Sequence, residues 1–221
     1  MYDNIYVLIP TYDPSLKFFS VIDSLKEAGF NNIVIVDDGS DDKAVFKRLN
    51  DYKVLSHDKN LGKGEALKTG FKYIASRDCL GVVTVDDDLQ HDISDIKKVV
   101  DKFLESKKVV LGVRLFDKNT PFKRKVANKI SSFIFNLKYK TNIKDTQTGL
   151  RCFPKEILND LCLVKGSRFE YEINVLKYLT LNNIDIDSVT IKTLYADETS
   201  HYKSFKDSYI ILKSIFKKDT E

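Results

Sequence analysis

The stretch from Gly81 to Asp92 reads Gly-Val-Val-Thr-Val-Asp-Asp-Asp-Leu-Gln-His-Asp, so three consecutive carboxylates, Asp86, Asp87 and Asp88, follow a β-branched apolar run directly. Such a run suits a buried parallel strand, and ligands of open α/β sheets bind just past the carboxyl ends of those strands. Crowded carboxylates repel one another unless a cation offsets them, and hard oxygen donors suit Mg²⁺ or Mn²⁺. A solvated acidic turn would have the same composition, so the case for chemistry depends on what else reaches that edge. One companion is Asp37-Asp38-Gly39-Ser40, which follows the apolar strand Ile33 to Val36. An aspartate there can accept a hydrogen bond from a base imide or a ribose hydroxyl, although Asp, Gly and Ser also suit a helix N-cap turn.

Further chemistry-bearing residues lie in the second half. Arg114 follows an apolar strand and an isolated glycine, within reach of an anion near the acidic cluster. Arg124, Lys125 and Asn128 belong to a basic helix opened by Pro121, which a solvated basic face would also explain. Asp145 begins a polar turn, Asp-Thr-Gln-Thr-Gly-Leu-Arg151. Its carboxylate can act as a base, orient a polar ligand or pair with Arg151. Glu170 and Glu172 are two apart at a helix start and face different ways, one inward and one to water. Lys63 opens a helix after glycines, yet the stretch lacks the phosphate-loop pattern and reads as helix-start packing with occasional nucleotide contact. None of His57, His91 and His201 has ligand spacing.

The elements that must position these residues alternate regularly. Strands are predicted at 5–9, 33–36, 53–56, 82–85 and 109–113, with helices at 15–28, 42–49, 60–76 and 93–105 between them. That alternation predicts an α/β doubly wound, mostly parallel sheet flanked by helices. Beyond it come the basic helix from 121 to 138, with Phe122, Val126, Ile130, Phe133 and Ile134 on one side, and a short strand at 150–153. Helices at 157–161 and 169–181 and a strand at 184–193 follow. The last stretch, 204–218, is an amphipathic helix in which Phe205, Tyr209, Ile210, Leu212, Ile215 and Phe216 stand among lysines. That pattern suits either packing on the sheet or an interfacial membrane helix.

Composition narrows the class. The chain has 221 residues, 43% hydrophobic and 31% charged, with a net charge of +4, which suits one large soluble domain, or one domain with a small appendage, and does not by itself announce nucleic acid. Three cysteines, Cys79, Cys152 and Cys162, lack metal spacing and read as reduced thiols of a cytoplasmic protein. No apolar run reaches the roughly 20 residues that a spanning helix needs.

The motifs Ile9-Pro10-Thr11-Tyr12, Val36-Asp37-Asp38-Gly39-Ser40, Asn60-x-Gly62-Lys63-Gly64-x-Ala66 and Asp86-x-Asp88-Leu89-Gln90-His91 occur in this order. With Gly112-x-Arg114, Asp145-x-Gln147-Thr148-Gly149-x-Arg151 and Phe169-Glu-Tyr-Glu172, they cover nearly the whole chain. Together they resemble the family 2 glycosyltransferases of the GT-A fold, and most of all the branch that glycosylates polyprenyl phosphate, which includes dolichyl-phosphate mannose synthases. The resemblance implies a GT-A domain over 1–200 with the C-terminal helix, 201–221, appended as a membrane-associating element. Pro10, Tyr12, Asp37, Asp38 and Asp86 match nucleotide-lining positions, and Asp86, Asp88 and Gln90 match the contacts to Mg²⁺ or Mn²⁺. Asp88, Asp145 and Arg114 match catalytic positions. Arg114, Arg124 or Lys125, and Asn128 match the cradle of the acceptor phosphate. Asp87 stands where relatives commonly carry a small residue.

The implied reaction is metal-dependent, inverting transfer of a hexose from a UDP- or GDP-linked sugar to polyprenyl phosphate at the cytoplasmic face of the membrane. Relatives of this branch often carry membrane-spanning segments after the domain, so a separate anchoring partner protein is a further expectation. Transfer to a sugar hydroxyl during polysaccharide or glycolipid assembly is the alternative, and it requires Asp145 as a base. A non-catalytic nucleotide- or lipid-binding subunit would be expected to lack one of the metal carboxylates.

Overall fold

A computed structural model describes residues 2–115, 122–192 and 214–216, without the side chains of 122–124. Five strands and three α-helices fill the first half: β1 (Ile5–Thr11), α1 (Lys17–Glu27), β2 (Asn32–Asp37), β3 (Lys53–Ser56), α2 (Lys63–Ala75), β4 (Gly81–Thr84), α3 (Ile93–Ser106) and β5 (Val109–Arg114). The second half adds α4 (Phe122–Tyr139), β6 (Arg151–Pro154), α5 (Leu158–Leu163), α6 (Glu170–Leu181) and β7 (Ile186–Ile191). Residues 42–49, expected to be α-helical, form a shorter and tighter 3₁₀ helix, Lys43–Arg48. Its start is capped by Asp42, whose carboxylate accepts from the Ala44 amide at 2.8 Å.

The sheet has seven strands in the order β3-β2-β1-β4-β6-β5-β7. All pairs are parallel except those of β6, which runs against both β4 and β5. The alternation of side chains along each strand splits the core between the two faces. Val7, Ile9, Ile33, Ile35, Val83 and Val110 face one side, packed with Phe18 and Leu25 of α1 and Val99 and Phe103 of α3. Leu8, Val34, Val36, Val82 and Leu111 face the other, packed with Leu67 and Phe71 of α2, Phe135 of α4 and Leu176 of α6. Both faces are covered, so the strands read as continuous apolar runs.

The reversal of β6 decides which residues share an edge. Because Thr84 pairs with Arg151 and Gly81 with Pro154, the start of β6 lies beside the end of β4. The polar turn 145–149 therefore opens onto the same edge as the carboxyl ends of the parallel strands. Arg151 anchors it from inside. Its side chain is buried, and its guanidinium donates to the carbonyls of Thr148 at 2.9 Å, Glu172 at 2.7 Å and Thr146 at 3.3 Å. Burial lowers the affinity of this guanidinium for its proton, against the attraction of Glu172 and Asp145. Thr84 adds a bond from Oγ1 to the Gly149 carbonyl at 2.7 Å.

Helix α4 is turned differently from the expectation. Its inner side consists of Asn128, Ser131, Ser132 and Phe135, all buried, whereas Ile130 and Phe133 stand exposed and Ile134 is half-buried. The cause is polar: Ser131 and Ser132 hydroxyls lie 3.0 and 3.2 Å from Thr146 Oγ1, and Thr146 N donates to Ser132 Oγ at 3.2 Å. Satisfying these buried groups requires the serine face, not the phenylalanine face, to meet the turn. Of the expected C-terminal helix, only Ser214, Ile215 and Phe216 fall within the described residues, and they are helical. The rest of 201–221 lies outside them.

Replacing the buried guanidinium in Arg151→Met leaves three carbonyls without their charged donor and is expected to cost about 3 kcal/mol or more. The urea midpoint reads this; a midpoint within error of the parent would show that the turn is held by other means.

Candidate active site

The acidic stretch 86–88 leaves the end of β4 as three half-buried carboxylates in different surroundings. Asp86 Oδ1 accepts from Lys63 Nζ at 2.7 Å, and Asp86 Oδ2 lies 3.3 Å from His91 Nε2. Burial favours its neutral form, but the Lys63 ammonium and then His91 outweigh that and hold the carboxyl well below the usual carboxylate range. Lys63 also reaches Glu172 Oε1 at 3.2 Å. These two acids keep its affinity for the proton above the ordinary lysine value despite burial. Asp87 accepts from Thr11 Oγ1, which ties the end of β1 to the acidic turn. Burial, and beyond it the charges of Asp88 and Asp86, push the Asp87 carboxyl up to about 6 despite that bond. Burial and Asp86 likewise raise Asp88.

Three carboxylates thus share one lysine cation, and two of them are shifted toward protonation. Hard oxygen donors with uncompensated charge suit a divalent cation, and Asp86 and Asp88 would supply the protein's oxygens for it. Among the described residues, no group of three His, Cys, Asp or Glu side chains forms a closed metal cage. Further ligands would therefore come from neutral donors such as Gln90 or from the substrate. Leu89 holds the turn in the left-handed region at φ 62°, and the Gln90 amide donates to Asp88 Oδ1 at 3.1 Å. Backbone held there by a non-glycine residue concentrates at functional sites.

The second acidic turn separates its two aspartates. Asp37 is fully buried, with Oδ1 accepting from Ser40 N at 2.8 Å and Oδ2 without a partner among the described residues. An orphaned buried carboxylate oxygen costs free energy unless a ligand or water meets it, which suits the expected contact to a base or ribose. Asp38 has a bracing role that the sequence did not suggest. Its oxygens accept from Leu61 N at 2.9 Å and Gly62 N at 2.7 Å, and Oδ1 lies 2.8 Å from His57 Nδ1. His57 Nε2 in turn lies 2.9 Å from Thr69 Oγ1. This network holds the turn before α2 and so places Lys63. Gly62 completes it at φ 103°, where a side chain would meet the Ser167 carbonyl. Pro10 is buried at the end of β1 and Tyr12 is half-buried just beyond it.

On the far side of β4, Asp145 meets Arg114 rather than Arg151. Arg114 Nε donates to Asp145 Oδ2 at 2.7 Å and Nη2 to Oδ1 at 2.9 Å, while the amides of Arg114 and Gln147 add 3.2 and 3.0 Å bonds. Arg151 is engaged by carbonyls instead, because β6 points its side chain beneath the turn. Asp145 is fully buried; burial opposes its charge, but Arg114 and the amides hold its carboxyl below the usual range. Asn128, on the inner side of α4, is 1% exposed, and neither its amide oxygen nor its nitrogen has a partner among the described residues. Lys125, one turn earlier, is half-buried. The side chain of Arg124 lies outside the described residues.

Sequence reasoning gave Lys63 a helix-start packing role with occasional nucleotide contact, quoted Thr11 only within a motif, and gave His57 no role, so the contacts of all three with the acidic turns were missed. The demand for a countercharge to the acidic turn is the signal that could have found Lys63. Glu172 is the inward member of its pair, as expected of one of the two, but Glu170 is not left to water. Its Oε1 accepts from the Ser167 and Arg168 amides at 3.0 and 3.2 Å.

The model of the family described as "Glycosyl transferase family 2" matches residues 6–162. A UDP-N-acetylglucosamine–dolichyl-phosphate N-acetylglucosaminyltransferase of Methanococcus voltae is 34% identical over 217 residues, covering 87% of this chain and 86% of that protein. An uncharacterized protein of Methanocaldococcus jannaschii is 32% identical over 205 residues, covering 88% of this chain and 83% of its own. Among solved structures, glucosyl-3-phosphoglycerate synthase from Mycobacterium tuberculosis in complex with Mn²⁺, UDP-glucose and phosphoglyceric acid superposes with a TM-score of 0.75 at 16% identity. That match covers 96% of this chain and 78% of the synthase, and it shows the fold, which is GT-A.

Two outcomes are expected of the site. A methyl group at Gly149 would lie 2.5 Å from Asp86 Oδ2, so Gly149→Ala must displace that carboxylate. Transfer is expected to fall about a hundredfold with little loss of melting temperature; unchanged turnover would mean that the position of Asp86 does not matter. Asp145→Asn breaks a buried, bidentate ion pair and is expected to cost about 3 kcal/mol near neutral pH. Because the folded-state affinity of Asp145 for its proton is depressed, its contribution is fully present above the unfolded value of about 4 and is lost as pH falls below that. Urea titrations of both proteins should therefore converge on acidification, and a constant gap would contradict the assignment.

Proposed function

The chain belongs to glycosyl transferase family 2, and from that premise we propose that it moves a sugar from a UDP-linked donor directly onto the phosphate of a dolichyl-type polyprenyl phosphate. The observation that carries the acceptor is the state of Asp145. A sugar-hydroxyl acceptor needs a base with an available oxygen, and Asp145 is buried, doubly paired to Arg114 and further bonded to two amides. A phosphate monoester is already anionic near neutral pH and attacks without one. The Methanococcus voltae relative, whose name specifies dolichyl phosphate, supports the same acceptor. That name and the UDP-glucose bound by the Mycobacterium tuberculosis synthase support a UDP-linked donor.

In this reading Pro10, Tyr12 and Asp37 line the nucleoside, with the unpartnered Asp37 Oδ2 accepting from it, while Asp38 holds the neighbouring turn. Asp86 and Asp88, supported by Gln90, would hold Mg²⁺ or Mn²⁺. The metal supplies charge stabilisation for the departing diphosphate. Lys63, placed by the Asp38 brace, sets the orientation of Asp86 and adds positive charge beside the donor. Arg114, Lys125 or Arg124, and the buried amide of Asn128 face the acceptor phosphate from the other side, where fixed cations recognise it best. An oxygen of that phosphate bonds to the anomeric carbon as the bond from that carbon to the diphosphate oxygen breaks. No proton has to be moved. In-line displacement inverts the anomeric centre.

The test is a reaction of purified protein and Mn²⁺ with UDP-N-acetylglucosamine, UDP-glucose or GDP-mannose and a short-chain polyprenyl phosphate. The expected product is an acid-labile lipid-linked sugar from a UDP donor, none after chelation of the metal. Asp86→Asn and Asp88→Asn should each lower kcat by about a hundredfold or more. Release of UDP without lipid product, or product with the dephosphorylated lipid alcohol, would sink the acceptor assignment.

A further inference from the structure

Lys63, the first residue of α2, stands between two acids from distant parts of the chain. Its Nζ donates to Asp86 Oδ1 at 2.7 Å and lies 3.2 Å from Glu172 Oε1. The side chains of Lys63 and Glu172 are only 19% and 12% exposed, so salt and water screen these contacts weakly. The other oxygen of Asp86 is engaged as well. Oδ2 lies 3.3 Å from His91 Nε2, and the Gly149 backbone crowds it so closely that a methyl group there would stand 2.5 Å away.

A divalent cation takes a carboxylate oxygen at about 2.1 Å, inside the 2.7 Å at which the ammonium sits on Asp86. Two cations on one oxygen repel, and the repulsion grows where water is largely shut out. Glu172 gives the ammonium another partner. It belongs to the first turn of α6, not to the acidic turn, and it is already within ion-pair distance. Lys63 can therefore leave Asp86 without being stranded as an unpaired, poorly solvated charge, which would be costly. We propose that Lys63 is an internal cation that competes with the divalent metal for Asp86, and that Glu172 receives its ammonium when the metal binds. Metal binding to the protein alone is thereby weakened. A nucleoside diphosphate, whose oxygens attract both cations, relieves the competition, so metal and nucleotide raise each other's affinity by the same factor. The placing of the metal at Asp86 rests on the proposed function; the competition is a separate property of Lys63 and Glu172.

Mn²⁺ binding to the purified full chain is read from the electron paramagnetic resonance of free Mn²⁺. It is measured without nucleotide and with UDP, corrected for the Mn²⁺ that UDP holds in solution. Lys63→Met is expected to tighten nucleotide-free binding about tenfold and to shrink the gain brought by UDP by a similar factor. Glu172→Gln is expected to weaken nucleotide-free binding about fivefold and to leave binding with UDP within about twofold of the parent. In the Lys63→Met background the Glu172 substitution should have no effect, because it acts through the lysine. Unchanged or weaker nucleotide-free binding by Lys63→Met overturns the proposal, as do additive effects in the double variant. Should Lys63→Met fail to fold, Glu172→Gln decides alone: equal weakening with and without UDP overturns the competition. Mn²⁺ binding that survives Asp86→Asn in the presence of UDP overturns the metal assignment, and the proposal with it. Binding that needs Asp86 but is indifferent to Lys63 overturns the competition only.

Discussion

Negative charge crowded at the end of one buried strand is the constraint around which the site is arranged. Asp86, Asp87 and Asp88 leave β4 together, and each is offset by a different element of the fold. Lys63 from the start of α2 and His91 from the same loop hold Asp86, Thr11 from the end of β1 holds Asp87, and the Gln90 amide holds Asp88. The compensation is partial, because one ammonium stands against three carboxylates. The uncompensated charge that remains is what a divalent cation would offset.

The same logic runs outward. Lys63 can face Asp86 only if the turn before α2 is held, and Asp38, His57 and Thr69 hold it. Glu172 shares Lys63 while its carbonyl accepts from Arg151. Arg151 fixes the turn that carries Asp145 and Gly149, and Gly149 leaves space for the Asp86 carboxylate. The acidic turn after β4 and the 145–149 turn are therefore mechanically one unit, linked through Lys63, Glu172, Arg151 and Gly149. Asp87, unexplained from sequence, belongs to this unit as the tie between β1 and β4.

The sequence was most legible where a single element decides the outcome. Strand and helix positions follow from local periodicity, since the central strands β1, β2 and β4 are covered on both faces and α1 stops at Gly29 in the left-handed region. The acidic turns were legible for the same reason, being extensions of strands whose ends share one edge in a parallel sheet. The direction of β6 was not legible: a four-residue strand carries no local mark of its polarity, and only pairing with β4 and β5 selects it. Helix α4 misled because Ile130, Phe133 and Leu137 point outward, while hydroxyls and Phe135 make its inner contact.

Residue identities and their order along the chain thus determined the fold class, the family resemblance, and the acidic turns, arginine and asparagine that the structure gathers in the candidate site. Which partner each of them has was decided by tertiary structure alone. Asp145 could equally have met Arg151, six residues away in sequence, as Arg114, and Lys63 could have faced water. Long side chains choose among partners by the approach of distant backbones, and those approaches are set by the packing of both sheet faces and by the reversed strand.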